Sequence, residues 1–255
     1  MHLHIDTDAK KIDLTENGST RSIDLYSKES FEVLSDLWSK VAWNEKYTYT
    51  FTWMGIPTVQ LPEDVMRLQE VIWRVKPDVI VECGVAHGGG VVMYAAWLKA
   101  MGEGRVIGVE VEFRGDHKEQ IENHLMGNRI ELVVGSSVDP QIVQQVKGMI
   151  KPGEKVMVIL DSNHSKAHVA AELEAYHDMV SVGSYIVATD GCMEYLSDVP
   201  RGRPEWKDDN PAAAAREFAA AHPAFVIDMP KPEFNESDLT RTLTHWPDAW
   251  LKRVS

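Results

Sequence analysis

Val79-Ile80-Val81-Glu82-Cys83-Gly84-Val85-Ala86-His87-Gly88-Gly89-Gly90 decides how this chain reads. An apolar run feeds an acidic residue, breaks into glycines and gives way to an apolar helical pattern over residues 91–101. A strand that ends in a carboxylate and turns on glycine lets a ligand approach the backbone closely. The identity of that ligand turns on the acid. A dinucleotide fingerprint, Gly-x-Gly-x-x-Gly, rests a pyrophosphate on the helix N-terminus. Here the middle glycine is missing, and Glu82 would repel that anion. A ligand with a cationic part favours the acid. A tight turn with no ligand at all reads the same way at this level.

Outward from this turn, strand and helix patterns alternate. Strands are predicted over 79–82, 105–112, 130–135, 156–161 and 185–190, and helices over 91–101, 116–126, 140–150 and 167–180. Upstream, Phe31, Val33, Leu34, Leu37, Trp38 and Val41 share one face of a helix over 30–42. Pro62, Glu63 and Asp64 open another helix that runs to about residue 75. A short helix over 212–221 precedes two closing strand patterns, 225–229 and 242–253; Pro247 marks the latter as an edge. The pattern predicts an α/β fold: a Rossmann-like, doubly wound, mainly parallel seven-stranded sheet with helices on both faces. Residues 1–20 are charged and turn-rich and read as loose or wrapped on another subunit. Residues 43–62, rich in aromatics, Gly and Pro, are too irregular for a strand ladder and read as a packed loop. The expected division is an N-terminal extension with an aromatic loop, 1–62, and a ligand-binding domain, 63–255. Residues 191–211 lack periodicity, and a long loop there is usually functional.

Bulk properties narrow the function classes. The chain has 255 residues, 44% of them hydrophobic, which is enough for a full core. Its net charge is −13 with no long basic run, which argues against nucleic acid and against anionic membranes. No apolar stretch is long enough to span a bilayer and no secretion signal is visible. Cys83 and Cys192 form no Cys-x-x-Cys pair, so a reduced, cytoplasmic protein is expected.

Four predicted strands end in an acid: Glu82, Glu110, Asp161 and Asp190; the third ends in Gly135-Ser136-Ser137. In a doubly wound sheet, ligands sit outside the C-terminal strand ends, so these residues are expected to converge. Glu110 suits a ribose diol, with Glu112 as its local competitor; nicotinamide enzymes use the same device. Asp161 and Asp190, with His164 one turn away, form a candidate set for a hard divalent cation such as Mg²⁺. Such an ion lowers the pKa of a bound hydroxyl, and Asp161 or His164 can take its proton. Asp161 and His164 also suit a plain helix cap. Trp38, Trp73 and Trp97 read as core, His87 as a pocket or solvent residue, and Arg201 and Arg203 as contacts to an anionic or sugar substrate or as solvated loop.

S-adenosylmethionine carries both an amino group and a sulfonium, and Glu82-x-Gly84-x-x-x-Gly88 resembles the first motif of class I methyltransferases. The wider sequence resembles the cephalosporin hydroxylase family. The resemblance runs through Trp53-Met54-Gly55-Ile56-Pro57, Gln60-Leu61-Pro62-Glu63-Asp64, Lys76-Pro77-Asp78 through Gly84, Gly88-Gly89, Asp161-Ser162-Asn163-His164 and Tyr185 through Asp190. It spans roughly residues 50–190. Despite its name, that family is similar to class I methyltransferases that act on hydroxyls of sugars and natural products, often with Mg²⁺. The resemblance implies that Glu82, Gly84, Gly88 and Glu110 contact the cofactor; Gly89, His87, Ser136, Ser137 and Asp161 complete the candidate set. It also implies metal ligation by Asp161 and Asp190. Several relatives carry an acidic pair where this chain has Thr189-Asp190, so Thr189 offers only a neutral oxygen.

The expectation is an S-adenosylmethionine-dependent O-methyltransferase acting by in-line displacement on a small or glycosyl hydroxyl, with Mg²⁺ assistance, in a homo-oligomer. Loop 191–211 and the aromatic segment are expected to close over the acceptor. Two rivals stay open: an NAD(P)-dependent oxidoreductase or hydroxylase, and a non-catalytic binding subunit.

Overall fold

A computed structural model describes residues 1–255. Its central sheet is built from the predicted alternation. The chain runs through β1 (His2–Asp6), β2 (Lys11–Glu16) and β3 (Ser19–Asp24), then α1 (Lys28–Asn44), β4 (Phe51–Trp53), β5 (Ile56–Thr58) and α2 (Pro62–Val75). The βα alternation follows: β6 (Val79–Cys83), α3 (Gly89–Met101), β7 (Arg105–Glu110), α4 (His117–Glu122), β8 (Ile130–Val134), α5 (Pro140–Met149), β9 (Val156–Leu160), α6 (Lys166–Tyr176) and β10 (Tyr185–Ala188). The chain closes with α7 (Pro211–Ala221), β11 (Phe225–Ile227) and β12 (Trp250–Arg253).

The seven-stranded sheet has the order β11-β12-β10-β9-β6-β7-β8. Strands β6 and β9 are buried at every residue, as runs of Val, Ile and Leu covered on both faces must be. Alternate side chains feed two separate cores. Ile80, Val106, Met157, Ile159 and Val187 pack on one face with α2 and α3. Val79, Val81, Ile107, Val158 and Ile186 pack on the other, with Leu173 of α6 and Phe218 of α7.

Register decides where the functional groups lie. Cys83 pairs with both Val109 and Leu160, and Leu160 pairs with Ala188, so the central strands end level. From β6 the chain steps outward through β7 and β8, then returns to β9 on the other side. The C-terminal ends of β6 and β9 therefore flank a topological switch point, where open α/β sheets bind ligands.

Five expectations give way. Strand β12 is no edge: it lies between β10 and β11, antiparallel to both, and Pro247 falls in the turn before it. Residues 2–24 form a three-stranded antiparallel sheet rather than a loose arm, with Asn17 and Gly18 at positive φ in the β2–β3 turn. Part of the aromatic segment is a ladder after all, because β4 and β5 pair as a short ribbon. The tryptophans divide as well: Trp97 packs against the core, whereas Trp73 is 57% exposed and lies under the Lys76 ammonium. The α1 face is also more open than its pattern predicts, with Phe31, Leu37, Trp38 and Val41 exposed. No helix is long and apolar enough to cross a membrane.

Candidate active site

Two cavities open at the strand ends and share one residue. The larger, of about 490 Å³, is lined by Gly84, Ala86, His87, Val109–Glu112, Arg114, His117, Gly135–Ser137, Asp161–Asn163 and His168. The smaller, of about 250 Å³, is lined by Trp43, Lys46, Thr48, Tyr49, Val59, Gln60, Leu61, Asp161, Asp190, Arg201, Trp206, His245 and Trp246. Asp161 stands in the wall between them.

The backbone explains this closeness. Gly84 sits at φ +94°, and an added Cβ would lie 2.2 Å from the Asp161 carbonyl oxygen. Only glycine lets the β6 turn press against the end of β9. Gly89 plays a similar part elsewhere: its Cβ would lie 2.1 Å from Thr58 Oγ1 and 2.3 Å from the Pro57 carbonyl, so it seats α3 against β5. Gly88 stands against Ile121 in the same way. Gly88 and Gly89 therefore lie behind the larger cavity's lining, not on it.

Glu82 also lies behind the lining, only 2% exposed. Burial, then the neighbouring Asp161 charge, pushes its carboxyl well above the usual range. Its Oε2 has no hydrogen-bond partner. Glu82 is tied to the smaller cavity through Tyr94, which faces it and receives a 3.0 Å hydrogen bond from Gln60 Nε2. Glu110 does line the larger cavity. Its Oε2 accepts the Ala86 N–H at 2.7 Å and its Oε1 the Val111 N–H at 3.0 Å. Each carboxylate oxygen keeps a second acceptor site for a diol. His87 lies beside His117, ring centroids 4.7 Å apart, and its buried Nδ1 is unpartnered.

Ser136 and Ser137 line the far end of this cavity. Ser137 Oγ is 3.3 Å from His168 Nε2, and Ser162 Oγ donates to Glu172 Oε1 at 2.6 Å. The buried Glu172 beside it holds the His168 imidazole above its ordinary pKa. Sequence reasoning missed His168 and Glu172, which share a face at i, i+4 spacing on α6.

Between the cavities, His164 Nε2 stands 3.5 Å from Asp190 Oδ2 and 4.0 Å from Asp161 Oδ1. One ligand atom from each of the three lies within 4.8 Å of the others. Burial, then the Asp190 charge, pushes the Asp161 carboxyl up to about 7. Two crowded carboxylates with an imidazole are a donor set that a divalent cation neutralises, so the residues fit such an ion. Asp190 reaches its place from a left-handed backbone, φ +57°. Thr189 does not join the set. Its hydroxyl donates to Asp161 Oδ1 at 2.7 Å and lies against the Leu160 carbonyl, and the side chain is buried. It holds the Asp161 carboxyl in place, while His164 supplies the third donor of the cluster.

Residues 45–254 match the family model of rhamnosyl O-methyltransferase/CmcI. The chain belongs to this family. Among curated relatives, the rhamnosyl O-methyltransferase of Mycobacterium tuberculosis (strain ATCC 25618 / H37Rv) is 31% identical over 142 residues, 54% of this chain and 56% of the relative. That of Mycobacterium leprae (strain TN) is 28% identical over 155 residues, 60% of this chain and 65% of the relative. The chain thus spans between half and two thirds of the length of these relatives. Among solved structures, an apo form of CmcI aligns with a TM-score of 0.56 at 20% identity, covering 81% of this chain and 77% of that one. CmcI with Mg and S-adenosylmethionine aligns at 0.56 and 18% identity, covering 81% and 78%. The methyltransferase MycE with Mg and S-adenosylhomocysteine aligns at 0.50 and 17%, covering 86% and 54%. At these identities the likeness is one of fold.

Within this family fold, the smaller cavity depends on a long-range tie that the sequence did not reveal. Asp64, 3% exposed at the start of α2, accepts the His245 N–H at 2.8 Å and the Thr244 hydroxyl. This fixes His245 and Trp246 against the cavity. Burial pushes the Asp64 carboxyl from 3.8 up to about 7. The folded chain therefore holds that proton more tightly than the unfolded chain, and stability falls as pH rises through this window. The melting temperature is expected to decline from about pH 5 to about pH 8, and Asp64→Asn to flatten that decline by about 5 °C. Scanning calorimetry across pH reads this directly; an unchanged slope refutes it.

Proposed function

We propose that this chain is an S-adenosylmethionine-dependent O-methyltransferase acting on a hydroxyl of a glycosyl or other small acceptor. The observation that carries this reading is Asp161, which lines the donor-sized cavity and the smaller aromatic cavity alike. In-line transfer needs the donor methyl and the acceptor oxygen in direct contact, which the two cavities permit only where they adjoin, at Asp161. The larger cavity supplies Glu110 for a ribose diol and Ser136, Ser137 and His168 as polar groups at its far end. Glu82, buried behind its lining, adds a polar carboxyl whose ionised form the burial disfavours.

The smaller cavity suits an acceptor with both apolar faces and hydroxyls. Trp43, Trp206 and Trp246 offer flat surfaces for a sugar ring. Gln60 Oε1 and His245 Nε2 are buried polar atoms without partners, a chemistry that matches ring hydroxyls. Residues on both sides of position 62 build this cavity, so the expected extension 1–62 contributes to acceptor binding and does not stand apart from the domain 63–255.

When bound, S-adenosylmethionine would supply the methyl group, and a divalent cation, which Asp161, His164 and Asp190 would hold, would supply positive charge that makes a hydroxyl more acidic. The chain does the rest. Asp161 or His164 would take the hydroxyl proton. Thr189 holds Asp161 in one orientation. Trp43 and Trp206, edge to face at 6.0 Å, help shut out water.

Calorimetric titration with S-adenosylhomocysteine and with NADH tests the cofactor; binding of NADH alone overturns the reading. Incubation with S-adenosylmethionine, Mg²⁺ and a panel of glycosides should add one methyl group to at least one acceptor, seen by mass spectrometry. Lys46 and Arg201 line the acceptor cavity and neither is paired with a carboxylate. Glycosides bearing an anionic group are therefore expected to react with a kcat/KM about tenfold higher than neutral counterparts.

A further inference from the structure

A second cluster of metal-ligating side chains lies far from the cavities, where α6 and α7 end side by side. Helix α6 has 11 residues, so its end lies roughly 17 Å from the His164 loop that precedes it. His177 caps α6 and His222 caps α7. Glu174 precedes His177 by three residues and shares its helical face. One ligand atom from each of Glu174, His177 and His222 lies within 4.8 Å of the others.

Three features make this more than proximity. The first is the His222 tautomer. His222 Nδ1 lies 3.0 Å from the Phe218 carbonyl. A carbonyl only accepts, so Nδ1 carries the hydrogen and the lone pair of the neutral ring sits on Nε2. That nitrogen stands 3.5 Å from Glu174 Oε1. A lone pair facing a carboxylate oxygen at this separation is an arrangement that a metal ion can bridge. A backbone carbonyl behind the distal nitrogen is also the usual outer partner of a metal-bound imidazole.

The second feature is preorganisation. The His222 ring stacks on Phe218 with centroids 3.9 Å apart and planes 13° from parallel. His177 packs against Phe218 at 5.7 Å and edge-on against Phe225 at 6.0 Å. Both imidazoles are thus held by an aromatic shelf before any ion arrives. The third is the field. Both histidines sit at helix C-termini, whose unsatisfied carbonyls favour positive charge.

We propose that Glu174, His177 and His222 form a second metal site, selective for zinc-like divalent ions, that pins the end of α6 to the end of α7. Two imidazole nitrogens and one carboxylate make a three-ligand set with a place left for water, the pattern of an open zinc site. Mg²⁺ prefers oxygen donors, so it is expected to bind weakly here.

Calorimetry with ZnCl₂ on the EDTA-treated full chain tests this. The Asp190→Asn background disables the other three-ligand cluster. That protein should bind one equivalent of Zn²⁺ and melt about 5 °C higher with Zn²⁺ than without, while Mg²⁺ at the same concentration leaves the melting temperature unchanged. His222→Phe keeps an aromatic ring on the shelf and should weaken Zn²⁺ binding at least about 100-fold and abolish the thermal shift. Glu174→Gln alters only an exposed side chain and should weaken binding in the same direction, which keeps the test informative should His222→Phe misfold. Failure of the Asp190→Asn chain to bind Zn²⁺ at about 100 μM, or undiminished binding after Glu174→Gln, overturns the proposal.

Discussion

Asp161→Asn is expected to lower kcat for methyl transfer by about 10²–10⁴-fold while leaving S-adenosylhomocysteine affinity within a few fold. The carboxylate is the one group common to both cavities, and in the proposed mechanism it would help to hold a divalent cation and could receive the acceptor proton. Asparagine keeps the shape and an oxygen for the Thr189 hydroxyl, but it carries no charge and cannot act as a base. The loss therefore falls on the chemical step rather than on cofactor binding. A second signature separates this from a folding defect. The folded chain holds Asp161 protonated up to about pH 7, so its ionised form is disfavoured by the fold. The asparagine variant, free of metal, should melt no lower than the parent at about pH 8. Unchanged turnover with intact cofactor binding removes Asp161 from the mechanism; a lower melting temperature marks it as a structural residue.

Gly84→Ala should have the largest effect on stability. Its Cβ would meet the Asp161 carbonyl oxygen at 2.2 Å, its carbon at 2.5 Å and Ser162 Cα at 2.6 Å. All three are backbone atoms that cannot rotate away. The left-handed φ adds a second penalty of about 1–2 kcal/mol. Overpacking of this kind typically costs about 1–3 kcal/mol more. Gly102 provides the control: its φ is +105°, and a Cβ there meets nothing within 4 Å. Gly102→Ala thus reports backbone strain alone and should lower the melting temperature by a few degrees, whereas Gly84→Ala should lower it by about 5–15 °C and weaken S-adenosylhomocysteine binding. Equal losses in the two variants would show that the close approach of the β6 turn to β9 is not what requires glycine.

These two residues also mark what the sequence made legible. The βα alternation and the strand-end acids follow from local pattern, and register then brought Glu110, Asp161 and Asp190 to one rim. The missed parts are those that depend on distant segments. The placement of β12 between β10 and β11 leaves no local signature, and Pro247 misdirected the reading because it lies just outside the strand. Gln60 and His245 meet at the smaller cavity from distant parts of the chain, His245 being held there by the Asp64 tie. The β2–β3 hairpin had a signal: Asn17-Gly18 supplies two positive φ values, the mark of a two-residue turn. It was masked by the charged, low-hydrophobicity strands around it.

The division of the lining between two stretches of chain has a consequence for biosynthesis. Every residue that walls the larger cavity falls between 84 and 168, whereas the smaller one waits for His245 and Trp246. A ribosome therefore delivers every lining residue of the larger cavity well before the last residues of the smaller one. Under the proposed function, the acceptor side is the last part of the site to be synthesised, completed by the segment that leads into the antiparallel β12.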